Sequence, residues 1–526
     1  MRTYGSVLFI ALLATSFVAS AQDVRKAYNF SNLTTQGTAR SMGFGNALGS
    51  VGGDFSSLSV NPAGLGIYRS SELTLTPSLR MNATSSEYTE NTTSNNNTHF
   101  NFNNFGLVFT NAPKGKRYEH RSWKTVSFAV GMNRVADFNA DYTYSGKNMT
   151  SSASQAFESD ANQSHLDPTV VDNSLGSMGY QSYLLNQNAA GNYVSSVPFS
   201  GGVMQQKSSH TTGGIDEYTF SLGGNYKEKL MLGITIGVPV VNYHNSSYYS
   251  ETLSPDNTMS NPNGFGYFNY SQSLDITGAG VNAKIGAIYK FNDMFRFGLA
   301  FHSPTYYSLH DVSAPAITTM HNDSLSILSA DNGYLNTNVF DYNLSTPWKG
   351  VLSATIMLNK FGFITADYEY VDYSSMRYVF QDGIDNNGVP YQQEADAINQ
   401  TIKKTYQGAS NFRLGGEGRI SSHFMARVGF GYYGNAYSAY GESTANAPYS
   451  TQRIDVSAGV GFRFRHFFTD LGFVHSMYQG YEQPYNVVYN DGKGTNYVYS
   501  GAPVTVPTAK IDYALNNLAL TVGVKF

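Results

Sequence analysis

The chain has no cysteine in its 526 residues, so a disulfide framework, a thiolate metal site and a cysteine nucleophile are all excluded. Charged residues make up only 13% and the formal net charge is −4, which leaves no basic footprint for a nucleic acid. Long apolar runs are also missing. The one near the start, Val7 to Val18, is shorter than the roughly 18 residues a membrane helix needs, and no later uncharged stretch reaches that length. Any passage through a membrane must then be made by strands.

What the chain does hold is β-forming and turn-forming material: Tyr 40, Phe 33 and Gly 51, with many Asn, Ser and Thr. The mean hydropathy of −0.29 suits a soluble protein, and equally a barrel with a polar lumen and long polar loops. Arg2, the apolar run and Ala19-Ser20-Ala21 before Gln22 have the layout of a secretory signal peptide, so residues 1–21 are expected to be removed.

Between Tyr28 and Val60 small residues dominate (Gly37, Gly43, Gly45, Gly49, Gly52, Gly53), and no long periodic element fits. This composition suits either a disordered leader or a compact plug whose small residues let backbone pack closely. The segment ends at Asn61-Pro62-Ala63-Gly64-Leu65, which local chemistry makes a turn: proline fixes φ and glycine tolerates the left-handed region.

After Ser71 alternation takes over, first with Leu73, Leu75, Leu79 and Met81 on one parity. Its cleanest case is Leu230, Leu232, Ile234, Ile236, Val238 and Val240, with mostly small residues between them. Tight links are expected at 227–229, 292–293, 359–360, 421–423 and 465–466, with a looser one at 111–123. Between them fall long connections at 145–215, 251–266, 313–341, 381–403, 437–449 and 482–510. Short links at one end and long ones at the other describe a membrane-spanning antiparallel β-barrel of about fourteen strands. Asn91 to Thr98 is expected as a polar loop tip, and the third strand, Thr125 to Tyr144, is interrupted by Gly131, Asn133-Arg134 and Asp137.

The last strand carries Leu518, Leu520, Val522, Val524 and Phe526 on one parity. Its terminal aromatic looks like the signal read by the outer-membrane barrel-insertion machinery. With the apolar parity facing outer-membrane lipid, Lys284, Asp367, Glu369, Arg413, Glu417, Arg427, Arg453, Asp455, Arg463, Asp470 and Lys525 face the lumen. Lumenal cations such as Lys284, Arg413, Arg427 and Arg453 can pair with a ligand carboxylate, or can belong to a neutralised ion network that fills the barrel.

These residues resemble the FadL/TodX family of outer-membrane transporters for long-chain fatty acids and other hydrophobic molecules. Asn61-Pro62-Ala63-Gly64-Leu65 is similar to that family's Asn-Pro-Ala motif. Tyr289-Lys290-Phe291-Asn292 with Phe295-Arg296-Phe297-Gly298, Ala366-Asp367-Tyr368-Glu369-Tyr370, and Phe412-Arg413-Leu414-Gly415-Gly416-Glu417 resemble its strand pairs in kind and order. The resemblance implies an N-terminal hatch over residues 22–71 with Asn61, Pro62, Ala63 and Gly64 in its motif, and a barrel over residues 72–526. It also implies passive uptake of a long-chain fatty acid or similar hydrophobic molecule, with sideways release at a kinked third strand. The stretches 145–215 and 381–403 depart from the family pattern.

No catalytic constellation is found, so an enzyme is not expected, nor is a cofactor or a metal. Asp367 and Glu369 lie two apart among arginines, where ion pairing explains them, and no Gly-x-Ser-x-Gly stretch joins a strand to a helix. Asp382 to Gly388 holds closely spaced oxygens but lacks the downstream bidentate Glu of a calcium loop. Two other functions suit the same fold: a surface binding or assembly protein for secreted cargo, and a haem receptor using a loop histidine such as His165, His210 or His321.

Overall fold

A computed structural model describes residues 17–113, 115–384, 390–443, 450–487 and 504–526. Alternating side chains build β1 (Glu72–Tyr88), β2 (Asn91–Asn111), β3 (Trp123–Asp137, then Ala140–Asn148), β4 (Val203–Tyr226), β5 (Leu230–Leu253) and β6 (Phe265–Lys290). Next come β7 (Phe295–His302, then Tyr306–His321), β8 (Ser324–Ser329, Asn338–Ser345 and Lys349–Met357) and β9 (Gly362–Asp372, then Arg377–Phe380). The circuit ends with β10 (Gly408–Arg419), β11 (Phe424–Tyr433), β12 (Arg453–Arg463), β13 (Phe467–Glu482) and β14 (Ala509–Lys525). Neighbours in sequence pair antiparallel, and β14 returns to β1 through pairs such as Leu75 with Val522 and Thr84 with Tyr513. The sheet is therefore a closed barrel of fourteen strands.

Its outward face is apolar over a belt that includes Leu75, Phe109, Phe220, Ile234, Leu299 and Leu520, all exposed, while their alternates such as Thr76, Ser221, Thr235 and Thr521 are buried inward. That pattern is the register a bilayer imposes, because each step along a strand changes face. Rings of aromatic side chains including Trp123, Tyr226, Tyr289, Phe291, Phe361 and Phe464 mark the end with the short links.

The wall is lopsided. β4, β5 and β6 run for 24, 24 and 26 residues, which at about 3.3 Å per residue and roughly 40° tilt is far taller than an apolar band of about 25 Å. β10, β11 and β12 have only 12, 10 and 11 residues.

Two expected connections are strands instead. Asn91 to Thr98 lies in β2, joined to β1 by the two-residue turn Thr89-Glu90 with φ of 43° and 71°. Within 313–341, β7 and β8 continue to a turn at Asn322-Asp323 with φ of 46° and 60°. Above the membrane neither face meets lipid, so Asn91 to Thr98 carry no apolar alternation and β8 keeps only the short one at Leu325 and Ile327. Both turns have positive φ at two successive residues, the geometry that suits the twist of a hairpin.

Other long connections fold over the mouth. Residues 149–202 carry α4 (Ser154–Gln163) and α5 (Leu175–Gln181), whose Phe157 and Met178 pack with Tyr249, Phe265, Phe268 and Ile317 of the tall wall. A buried carboxylate clasps this cap: Glu251 accepts from Ser152 Oγ, from Ala153 N at 3.0 Å, from Gln205 Nε2 at 2.9 Å and from the Tyr249 hydroxyl at 2.7 Å. The 381–403 insertion supplies α6 (Tyr391–Thr405); most of Asp382 to Gly388 lies outside the described residues.

Candidate functional site

The lumen is occupied by the chain's own N-terminal part. Helix α1 (Phe17–Ser31) extends past Tyr28, where the sequence showed no periodic element. It is followed by α2 (Ala39–Gly43), a 3₁₀ turn at Phe55–Ser59 and another at Pro62–Ile67. Asn61 caps the last of these, its side chain accepting from Ala63 N at 3.1 Å, with Pro62 at the first helical position, where its missing N–H costs nothing. Asn61 Nδ2 also donates to Gly49 O at 2.6 Å, to Ala287 O of β6 at 3.2 Å and to Leu299 O of β7 at 3.4 Å. One amide thus ties two parts of the plug to two strands. The wall accommodates it with glycine: a methyl at Gly233 or Gly286 would overlap the Pro62 carbonyl and Asn61 Oδ1. Ala63 and Gly64 are buried in the same turn.

The lumenal cations divide by partner. Arg427, wholly buried, donates to Glu417 at 2.6 Å and pairs with Asp470 at 2.7 Å; Glu417 also holds Arg40 of α2 at 3.0 Å. Arg453 pairs with Asp455 at 3.0 Å, lies over the Tyr433 ring at 3.8 Å, and donates to Thr34 Oγ1 at 3.1 Å. These two bind plug to wall. Arg413 sits 3.4 Å from Glu369 and 3.8 Å from Asp367. Lys284 is paired with Glu217, which in turn accepts from Ser59 Oγ at 3.0 Å.

Lys349 differs from all four. It is 8% exposed, forms no ion pair among the described residues, and its ammonium donates to the backbone carbonyl of Leu33 at 3.0 Å. It lines a small cavity together with the cations Lys284 and Arg413, the carboxylates Glu217 and Glu369, and His302, Leu33 and Val135. Sequence reasoning missed Lys349 because the break at 346–348 interrupts β8. Its parity with Val351, Ser353 and Thr355, all buried, was the available signal. The cavity measures about 50 Å³, well below the roughly 300 Å³ at which small-molecule pockets begin.

Above Lys349 the lumen is apolar and rich in rings. Val24, Ala27, Tyr28, Phe30 and Leu33 of the N-terminal segment pack with Tyr307, Tyr342, Tyr373, Tyr378 and Tyr406 of the wall and loops, and with Ile398 and Ile402 of α6. Tyr28 stacks on Tyr406 at 5.5 Å, and Phe30 meets Phe138 edge-on at 5.7 Å. A segment of the plug thus fills this apolar space, and its Leu33 carbonyl oxygen is the acceptor for Lys349.

The wall itself is incomplete beside this chamber. β2 pairs with β3 only from Asn111–Val126 up to Asn104–Asn133. A bulge at Val135 and a break at Phe138-Asn139 then turn the upper part of β3 inward against β1, where Thr84 Oγ1 donates to Asp141 O at 2.7 Å and Tyr144 packs on Tyr88 at 4.9 Å. What bridges the seam is side chains: Asn97 to Asp141, Asn101 Nδ2 to Asp137 at 2.7 Å, and Arg134 Nη1 to Asn101 Oδ1 at 2.6 Å. The carbonyls that the bulge frees go to the plug, Val135 O accepting from Thr34 N at 2.8 Å and Arg134 O from Gln36 N at 2.9 Å. Plug and seam are therefore one hydrogen-bonded unit.

The three histidines suited to a haem reading are dispersed. His165 is an exposed loop residue bonded to Gln163 O, His210 faces outward against Asp141, and His321 sits at the β7–β8 hairpin end near Tyr183.

No protein-family model matches the sequence, and no curated protein matches it. Among solved structures, a FadL homologue of Pseudomonas aeruginosa is 12% identical, with 94% of this chain and 98% of that one covered and a TM-score of 0.53. A deltaS2 mutant of the monoaromatic hydrocarbon channel TodX is 12% identical, with 93% and 98% covered and a TM-score of 0.51. The fold of this chain is that of the FadL/TodX barrels, fourteen strands closed around an internal plug.

Proposed function

We propose that the protein is an outer-membrane channel for passive uptake of long-chain fatty acids or similar anionic amphiphiles. The observation that carries this reading is Lys349: a buried cation whose one hydrogen bond among the described residues is to a plug carbonyl, at the foot of an aromatic-lined chamber. A buried ammonium in no direct ion pair, with Glu369 and Glu217 only lining the same cavity, gains from an incoming anion that touches it, because Coulomb attraction strengthens where water is excluded. The apolar chamber above it receives the tail once residues 24–33 withdraw. Withdrawal also frees Thr34 and Gln36 from the bulge of β3, so the seam beside β2 becomes the exit into the bilayer. The cap held by Glu251 screens the outer mouth. The monoaromatic hydrocarbons named for the TodX channel lack a headgroup, and Lys349 favours an acid over them.

Equilibrium binding to the purified barrel tests this. Lys349→Met is expected to weaken a long-chain acid roughly tenfold while leaving the alcohol of the same chain length within twofold, since a hydrogen bond to a charged group contributes about 1.5–3 kcal/mol. Equal loss for acid and alcohol would assign Lys349 to holding the plug and remove the headgroup argument.

A further inference from the structure

The links at the end with the aromatic rings are turns of three or four residues, except the one between β2 and β3. There, residues 112–122 include helix α3 (Lys116–His120), and the two strands separate below their last pair, Asn111 with Val126. The separation leaves an open cavity of about 300 Å³ on the outer wall, lined by Asn111, Pro113, Arg121, Ser122, Trp123 and Val126. Two described cations beside α3 are engaged. Arg69 donates to the Tyr118 hydroxyl at 2.9 Å and lies 3.7 Å from Glu228, while Lys124 donates to the carbonyls of Tyr118 and Glu119 at 2.6 Å and 3.0 Å. Arg121 has no hydrogen bond or ion pair among the described residues and borders the cavity.

We infer that this cavity is a binding site for a glycerophospholipid of the inner, periplasmic leaflet, with its phosphate on Arg121 and an acyl chain lying along Val126. Three features point to that occupant. The cavity opens at the lower edge of the lipid-facing belt, where Val126 and Phe128 are 45% exposed and face the bilayer. Trp123, 44% exposed and packed edge-on against Tyr226 at 5.5 Å, has the amphipathic ring that settles at headgroup depth. The guanidinium supplies planar, permanently charged donors that match phosphate oxygens. A smooth barrel wall contacts lipid everywhere with equal indifference, whereas a recess with an unpaired cation at its rim selects one molecule. The site lies on the same β2–β3 seam whose upper half lacks a ladder, and it fixes the lower half against the leaflet.

The test reconstitutes the mature barrel in nanodiscs containing phosphatidylglycerol with a photoreactive diazirine near the headgroup, and maps adducts by peptide mass. Label is expected on the peptide spanning Trp123 and Val126. It should fall about fivefold in Arg121→Ser, the equivalent of about 1 kcal/mol per cation near an anionic surface, recover in Arg121→Lys, and stay unchanged in Arg465→Ser at another short link. Label spread evenly around the barrel, or a yield that Arg121→Ser leaves unaltered, would overturn the site. All three variants alter surface residues, and heat-modifiable migration confirms that each barrel is folded. Loss of fatty-acid binding in Lys349→Met has no bearing on this outcome.

Discussion

Replacing Ile234 by arginine is expected to lower the stability of the barrel in lipid vesicles by about 2–4 kcal/mol, whereas arginine at Ser246 on the same strand changes it by less than about 0.5 kcal/mol. Both side chains point outward from β5 and both are exposed. Their surroundings differ. Ile234 lies in the apolar belt with Leu232 and Ile236, and an arginine there must be carried into hydrocarbon or thin the bilayer around it. Ser246 stands above the belt beside His244, which meets Asp275 across the strands at 2.6 Å, so water solvates a new charge at little cost. Unfolding midpoints in urea, read by the mobility shift of the folded barrel, measure the difference. Equal midpoints would place the belt at the wrong height or the wrong face.

The second large effect is on uptake, from Asn61→Ala. That substitution removes the cap of the 3₁₀ turn, worth about 1 kcal/mol, and strips donors from the buried carbonyls of Gly49, Ala287 and Leu299, each costing about 1–3 kcal/mol if left unmet. The barrel closes through inter-strand bonds that do not involve Asn61, so assembly and surface level should hold. The plug loses its tie to β6 and β7, and uptake of a labelled long-chain fatty acid is expected to fall at least fivefold while leak of small polar solutes rises. Normal uptake at normal surface level, in cells without another transporter of this kind, would make Asn61-Pro62 an ordinary turn.

The belt was legible because lipid enforces a strict period of two: Leu230 to Val240 and Leu518 to Val524 read directly as strands, and the parity that faced them outward sent Arg413 and Arg427 inward. Legibility stopped where lipid stopped. The upper part of β2 is polar on both faces, so Asn91 to Thr98 read as a loop tip, and in β7 and β8 the apolar positions Ile317, Leu325, Ile327 and Leu328 are too few to mark a long strand. The four named cations were visible by parity, but pairing is a property of neighbouring strands: Lys284 faces Glu217 from a strand two removed, and nothing in either segment announces it. Lys349 stayed hidden behind the Thr346-Pro347-Trp348 break. The kink in β3 left only its polar interruptions in the sequence. That its freed carbonyls at Arg134 and Val135 serve Thr34 and Gln36 depends on the plug's position, which small residues permit without specifying.

Uptake through the seam is the claim on which the functional account rests, and the absence of native cysteine allows it to be tested cleanly. Asn97 of β2 and Asp141 of β3 touch through their side chains across the gap, so Asn97→Cys with Asp141→Cys places two thiols facing each other across it, where a short bis-methanethiosulfonate joins them through two reducible disulfides. In whole cells the cross-linked double variant should bind fatty acid but fail to pass it on, and a membrane-impermeant reductant should restore transport. Transport by the cross-linked protein at the rate of the wild type, with the cross-link verified by mass, would contradict lateral release between β2 and β3.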